Sequence, residues 1–125
     1  MRRGEVWTVR DGAYASKARP AVVVQADHVS EAFRSVVLVG LTTFALAGAA
    51  ERVRLEPTEG NGLRETSYAM AEKPFSVKAE RLGSRVGMLG DDDVSRIAAA
   101  LAAVLGITVR DVTAPDANRH TLLAD

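Results

Sequence analysis

The apolar residues of this chain fall into short runs that predict a β-rich fold with one helix near the end. Two of these runs are almost wholly apolar: residues 19–25, entered through Arg19 and Pro20, and residues 35–43. Valine-rich runs of this length favour buried strands, and proline is tolerated at the first residue of a strand. Because neither run alternates with polar residues, we expect a sheet that is covered on both faces.

Weaker patterns predict further strands around these two. They occupy residues 5–10, 52–56, 67–72, 75–77 and 83–89. Glycines in the last of them predict a twist or bulge. Residues 26–34 predict a loop or short turn, and the Glu-Gly-Asn-Gly sequence within residues 57–63 predicts a tight turn. Strands in this order indicate a mainly β (β+α) fold, a small barrel or half-barrel of antiparallel strands with a C-terminal helix.

The helix is predicted between Asp91 and Gly106. Its apolar residues recur at i, i+3, i+4 and i+7: Val94, Ile97, Ala98, Leu101, Val104 and Leu105. Three consecutive aspartates at its start favour capping of the helix N-terminus, because on a helix they point in three directions and cannot share a metal. Gly106 fits a left-handed C-cap. Residues 107–125 show little periodicity, so we expect a domain over residues 1–106 and a loosely ordered tail.

The chain has 125 residues, which suits one domain. Its 16 basic and 16 acidic side chains cancel, which excludes polyanion binding by net charge. The charge is nevertheless uneven, at about +3 over residues 1–25 and about −3 over residues 90–125. We expect a basic face toward a phosphate chain and an acidic end elsewhere.

Several kinds of site are excluded by composition. The chain has no cysteine, which excludes disulfides, zinc–thiolate sites and cysteine nucleophiles. His28 and His120 are isolated, so no metal site and no metal cofactor are expected. No stretch resembles a signal core or approaches the roughly 20 apolar residues that span a bilayer, which favours a soluble cytoplasmic protein.

Polar residues at the predicted strand ends form the candidate site. They come from three places: Tyr14, Lys17 and Arg19; Thr42 and Thr43; and Glu72 and Lys73. Arg19 is a candidate phosphate clamp. No glycine-rich phosphate loop and no serine-hydrolase elbow is present. Cationic and hydroxyl chemistry without a metal suits a phosphodiester whose own 2′-hydroxyl is the nucleophile, that is, RNA.

Three motifs and one residue pair, in order along residues 2–106, also carry a family resemblance. They are Arg2-Arg3-Gly4-Glu5-Val6-Trp7, Arg19-Pro20-Ala21-Val22-Val23-Val24-Gln25, Val39-Gly40-Leu41-Thr42-Thr43 and the polar pair Glu72-Lys73. With these motifs the chain resembles the MazF/PemK toxins of bacterial type II toxin–antitoxin systems.

The resemblance implies an SH3-like, CcdB/MazF-like barrel, a homodimer and a metal-independent endoribonuclease that cuts single-stranded mRNA at short sequence motifs. It also implies a cognate antitoxin protein, with DNA contacted only through that antitoxin. By resemblance Arg19 and Thr42 are the catalytic residues. The RNA-binding residues expected are Tyr14, Lys17, Pro20, Gln25, Thr43, Glu72 and Lys73. Because arginine keeps its proton at neutral pH, we expect Arg19 to stabilise charge more than to transfer protons.

Two alternatives share the same fold. A CcdB-like toxin would bind DNA gyrase without catalysis, through its C-terminal helix and dimer surface. An inactive relative would act only with its antitoxin on DNA. The loop at residues 11–18 is shorter than in MazF/PemK toxins and lacks their Gly-Ser-Glu-Gln stretch. The sequence therefore does not show which RNA motif is cut.

Overall fold

A computed structural model of the chain, which describes residues 1–10 and 18–113, contains a seven-stranded antiparallel sheet with helices beside it. The elements are β1 (Glu5–Val9), β2 (Arg19–Val23), α1 (Asp27–Ala32), β3 (Ser35–Thr42), β4 (Arg52–Leu55), β5 (Ser67–Met70), β6 (Phe75–Lys78), β7 (Leu82–Met88), α2 (Asp91–Leu105) and α3 (Val109–Thr113), with a 3₁₀ turn at Ala79–Arg81. The predicted fold class, mainly β with a C-terminal helix, is confirmed.

The sheet is organised around β3. Its order is β4-β5-β3-β2-β1-β7, and β6 pairs with β3 outside this path. One edge of β3 pairs with β2, whereas the other edge pairs first with β6 and then, from Leu41, with β5. A strand that changes partners in this way turns a corner between two parts of a sheet. The register of β1 and β7 shifts between Val6 and Val9, so the predicted bulge is confirmed.

Apolar side chains fill both faces of the sheet. Val22 belongs to the cluster packed beneath α2, together with Val39 and the buried Ile97 of α2. Its neighbour Val23 belongs to a second cluster on the opposite face, together with Leu38. Successive strand residues point to opposite faces, so this division is the one that unbroken apolar strands require. The prediction of a sheet covered on both faces is confirmed.

The capping prediction is correct for the C-terminal end of α2 and wrong for its N-terminal end. Gly106 adopts the left-handed conformation, with φ 69°, and the predicted C-cap is confirmed. The prediction of side-chain capping by the aspartates is wrong, because Gly90 occupies the N-cap position and provides no side-chain hydrogen bond. Asp91–Asp93 lie instead within the first turn, where their negative charge complements the helix dipole.

Two short helices lie where the sequence indicates irregular structure. α1 replaces the loop or turn predicted for residues 26–34, and it buries none of its side chains, which explains why no apolar periodicity revealed it. α3 lies in the segment predicted as a loose tail. It begins with a capping arrangement in which Thr108 and Asp111 bond to each other's backbone N–H. No helix within the described residues is long and apolar enough to cross a membrane.

Candidate active site at the ends of β2 and β3

Arg19 and Thr42 lie at the same edge of the sheet. The last backbone pair between β2 and β3 joins Ala21 to Gly40. Two residues further on, β2 begins at Arg19 and β3 ends at Thr42. Residues that are level with each other in an antiparallel pair share a face of the sheet. The sheet therefore places Arg19 and Thr42, which the sequence singled out from separate segments, at the same edge.

This pair continues as a polar row across the sheet. Thr42 pairs with Tyr68 of β5, and Tyr68 pairs with Arg54 of β4. We call Arg19, Thr42, Tyr68 and Arg54 the polar row. Arg54 and Arg19 are exposed, while Thr42 and Tyr68 are half-buried. Two cations thus flank a hydroxyl and a phenol ring on one surface.

The polar row faces away from α2. The residues next to its members along their strands, Leu41, Val53 and Ala69, belong to the cluster beneath α2. Side chains alternate between the two faces of a strand, so the row occupies the opposite face. The helix α2 therefore packs on one face of the sheet, and the polar row on the other face is accessible to a ligand.

The Thr42 hydroxyl is oriented by the turn that follows it. The backbone N–H of Phe44 donates a hydrogen bond to Thr42 Oγ1 at 3.1 Å. Because this oxygen already accepts a bond, its own proton is available to donate. Thr43, between these two residues, is exposed at the rim. A preoriented O–H next to a cation is suited to an anionic oxygen.

Glu72 does not project toward a ligand as expected. Its Oε2 accepts a hydrogen bond from Nε of Arg52 at 3.0 Å, and Nη2 of the same guanidinium lies 2.9 Å from this oxygen in an ion pair. The same guanidinium donates through Nη1 to the backbone carbonyl of Phe44 at 3.3 Å. Glu72 therefore orients Arg52, and Arg52 holds the turn after Thr42.

The charge state of Glu72 follows from these contacts. Burial raises its pKa, but the Arg52 hydrogen bond, its own backbone N–H and the nearby charges of Arg52 and Lys73 outweigh this, and the pKa is lowered overall. Its Oε1 is buried and has no hydrogen-bond partner among the described residues. The carboxylate is ionised at neutral pH, so it does not serve as a proton donor there. Lys73 is exposed beside it.

The exposed Arg54 has an acidic neighbour. Its Nε donates to Glu56 Oε1 at 2.7 Å, and this bond raises the pKa of Arg54. The Glu56 carboxylate also accepts a hydrogen bond from Thr66. Both partners of this pair are largely exposed, so the bond is weak enough to exchange for a phosphate contact.

Two expected RNA-binding residues are not brought to this site. Pro20 follows Arg19 and pairs with Thr8, so it points to the other face of β2. Gln25 lies beyond the opposite end of β2, where it is buried; its Nε2 donates to the Ser35 carbonyl at 3.0 Å. Gln25 therefore has a structural role, and Pro20 faces away from the site.

The remaining predicted site residues, Tyr14 and Lys17, lie outside the described residues. The structure adds four residues that the sequence reasoning missed: Phe44, Arg52, Arg54 and Tyr68. The only signal for any of them was the alternation of Arg52 and Arg54 on the wet face of β4. Nothing in the sequence shows which strand pairs with β4.

The comparisons with known proteins identify the family. The model of the PemK-like, MazF-like toxins of type II toxin–antitoxin systems matches residues 2–105. The chain belongs to this family. It is 39% identical over 108 residues to the probable endoribonuclease MazF of Mycolicibacterium smegmatis, covering 86% of this chain and 98% of that protein. The family prediction made from the motifs is confirmed.

Solved structures agree with this assignment. An endoribonuclease in complex with its cognate antitoxin, from a mycobacterial species, superimposes with a TM-score of 0.75 at 25% identity, covering 86% of this chain and 97% of that one. The Mycobacterium tuberculosis toxin MazF-mt6 gives a TM-score of 0.70 at 20% identity, with 83% and 98% covered, and shows the shared fold.

Proposed function

We propose that this MazF-type toxin is an endoribonuclease that cuts single-stranded mRNA at short sequence motifs, with Arg19 and Thr42 on the scissile phosphate. The observation that carries the proposal is the common position of an exposed arginine and a preoriented threonine hydroxyl at one sheet edge. The family assignment and the name of the Mycolicibacterium smegmatis relative support it.

The reaction uses a nucleophile that the substrate carries. The ribose 2′-oxygen attacks the adjacent phosphorus and loses its proton, while the bond from phosphorus to the 5′-oxygen breaks and that oxygen gains a proton. The products are a 2′,3′-cyclic phosphate and a 5′-hydroxyl. Arg19 and Thr42 donate hydrogen bonds to the non-bridging oxygens, where negative charge develops. Because the nucleophile belongs to the substrate and Arg19 and Thr42 stabilise the developing charge, the proposed reaction needs no metal ion.

The RNA follows the polar row and its rim in this proposal. Arg54 offers a second guanidinium for a neighbouring phosphate, and Tyr68 offers a ring beside Thr42. Thr43 and Lys73 border the row. Tyr14 and Lys17, which precede β2 in the sequence, remain proposed RNA contacts, while Glu72 acts through Arg52.

The test is cleavage of a long single-stranded RNA in EDTA by the purified protein and by Arg19→Ala. We expect the wild type to cut and the variant to lose at least about 10²-fold in rate, because a donor to the developing charge is removed. Arg34→Ala is the matched control, since Arg34 is also exposed but precedes β3 at its other end. Absence of cleavage by the wild type, or equal cleavage by Arg19→Ala, contradicts the proposal.

The proposal also covers the location and the partners of the protein. The protein acts in the cytoplasm as a homodimer, and its antitoxin covers the polar row with an acidic or apolar segment that folds on binding. DNA is contacted only through the antitoxin. A solved relative is an endoribonuclease in complex with its cognate antitoxin. We expect antitoxin and RNA to compete; a toxin–antitoxin complex that binds RNA as tightly as the free toxin contradicts this.

A further inference from the structure

Phe44 presents an aromatic ring to solvent immediately beside the candidate active site. The residue is 65% exposed and follows Thr42 by two positions, so their Cα atoms lie within about 7 Å of each other. A single exposed apolar residue needs no explanation by itself. The backbone of Phe44, however, is held on both sides.

Two hydrogen bonds fix the Phe44 peptide groups to the site. Its N–H donates to Thr42 Oγ1 at 3.1 Å, and its carbonyl accepts from Arg52 Nη1 at 3.3 Å. Arg52 is itself anchored by Glu72, and only 11% of its side chain is exposed. A residue from β4 and one from the turn after β5 thus constrain a residue of the β3–β4 loop, next to the hydroxyl proposed to bind the phosphate.

We propose that Phe44 is a specificity-determining residue, on which a base adjacent to the scissile phosphate stacks. The inference rests on the proposed endoribonuclease function. Bases of single-stranded RNA are recognised by stacking on aromatic rings, and a ring with a fixed backbone loses little freedom on binding. The Thr42 bond links the position of the ring to the position of the phosphate, so Phe44 influences which nucleotide is cut.

Leu46 is also exposed, at 49%, but the residues on the active-site side of Phe44 favour a nucleotide over a protein partner. The residues that precede Phe44, Thr42 and Thr43, are polar, and the partly buried Arg52 guanidinium donates to its carbonyl. A ring at the edge of a polar, cationic surface matches a ligand with alternating bases and phosphates. Antitoxin docking on the same ring is the alternative that the experiment separates.

The experiment begins by mapping where the wild type cuts a long single-stranded RNA. An oligonucleotide centred on the strongest site, with a 2′-deoxy sugar at the cleaved nucleotide, then serves as the uncleavable probe. Its Kd is measured for the wild type, Phe44→Ala and Phe44→Trp. Phe33→Ala is the matched control, because Phe33 is 62% exposed but lies at the end of α1.

We expect Phe44→Ala to weaken probe binding by roughly 5- to 150-fold, the range for loss of one stacked base. Its KM for the cleavable oligonucleotide rises while kcat changes little, its preference among mapped sites falls, and Phe44→Trp restores binding.

If the wild type cuts RNA but Phe44→Ala binds the probe as tightly as the wild type does, the inference about Phe44 is wrong and the proposed function stands. A Phe44→Ala variant that loses antitoxin affinity but not RNA affinity also overturns it. A wild type that does not cut overturns the function and the inference together.

Arg52 is a positioning residue in this proposal, acting through Phe44. The variant Arg52→Ala should therefore change the preference among the same cleavage sites as Phe44→Ala does. The double variant should bind the probe no more weakly than Phe44→Ala alone, since the ring through which Arg52 acts is already absent. An Arg52→Ala effect that persists in full without the ring overturns this role and indicates direct RNA contact by Arg52.

Discussion

Thr42 Oγ1 accepts a hydrogen bond from the backbone N–H of Phe44 at 3.1 Å. This bond occupies one lone pair of the hydroxyl and directs its proton away from the turn. Thr42 is also paired across the sheet with Tyr68. Its hydroxyl is therefore oriented by a turn and a strand that form before any substrate arrives, which is the condition for electrostatic stabilisation without reorganisation.

Thr42→Val should separate this hydroxyl from the shape of the side chain. Valine keeps the β-branched form that suits a strand end but removes the donor, and we expect the single-turnover cleavage rate to fall by about 10²- to 10³-fold. Thr42→Ser keeps the hydroxyl and should retain most of the rate. If both variants cleave like the wild type, Thr42 does not stabilise the transition state.

The contacts of the Glu5 carboxylate predict that the free energy of unfolding depends on pH. This residue is 8% exposed, and its carboxylate accepts hydrogen bonds from the Arg2 backbone, from Trp7 Nε1 at 3.3 Å and from Arg85 Nε at 2.7 Å. Burial raises its pKa, but these bonds outweigh burial and lower the pKa below the ordinary value of 4.5. The ionised form is thus the form that the fold stabilises.

Since the folded pKa lies below the unfolded one, the stabilisation is complete above about pH 4.5 and is lost as the pH falls through the folded value. At pH 7, Glu5→Gln should lower the free energy of unfolding by about 1–3 kcal/mol. The difference from the wild type should shrink below pH 4.5 in urea unfolding curves. The exposed Glu80 provides the control Glu80→Gln. A difference that stays constant from pH 3 to 7 contradicts the assignment.

The sequence predicted those parts of the site that local patterns determine. The buried strands β2 and β3 were visible as apolar runs, and their ends marked Arg19 and Thr42. Antiparallel neighbours place such ends at one edge, so the pairing of these two residues needed only the correct strand order. The helix α2 was visible because its apolar spacing continues for several turns.

The residues that were missed depend on long-range register. Arg52 meets Glu72 because β4 pairs with β5, with Arg52 opposite Met70. No local periodicity encodes that pairing, and Glu72 alone looks like a free acidic side chain. Gln25 was expected at the site by family resemblance, but it lies beyond the opposite end of β2, where its amide bonds to backbone groups.

Asn61 should be important for stability although it does not belong to the polar row. It is 1% exposed; its Oδ1 accepts from the N–H of Thr58 and of Leu63, each at 3.0 Å, and its Nδ2 donates to the Glu56 carbonyl at 2.9 Å. Asn61→Ala removes all three bonds, so we expect a loss of about 2–4 kcal/mol in the free energy of unfolding, measured in urea. Glu59→Ala, an exposed change in the same turn, should stay within about 0.5 kcal/mol. Equal effects would show that the turn does not depend on this side chain.

The proposed homodimer can be tested by substitutions on α3. Four apolar residues at the end of α2, in the connection after it and on α3 are exposed: Leu105 61%, Ile107 43%, Val109 79% and Val112 73%. An apolar surface of this kind gains stability when a second copy covers it. We expect the wild type to sediment as a dimer and the double variant Val109→Glu/Val112→Glu to sediment as a folded monomer, because charges on that surface oppose its burial. Phe33→Glu, which places a charge on an exposed apolar residue at the end of α1, should leave the dimer intact. A double variant that remains dimeric at micromolar concentration places the subunit contact on another face.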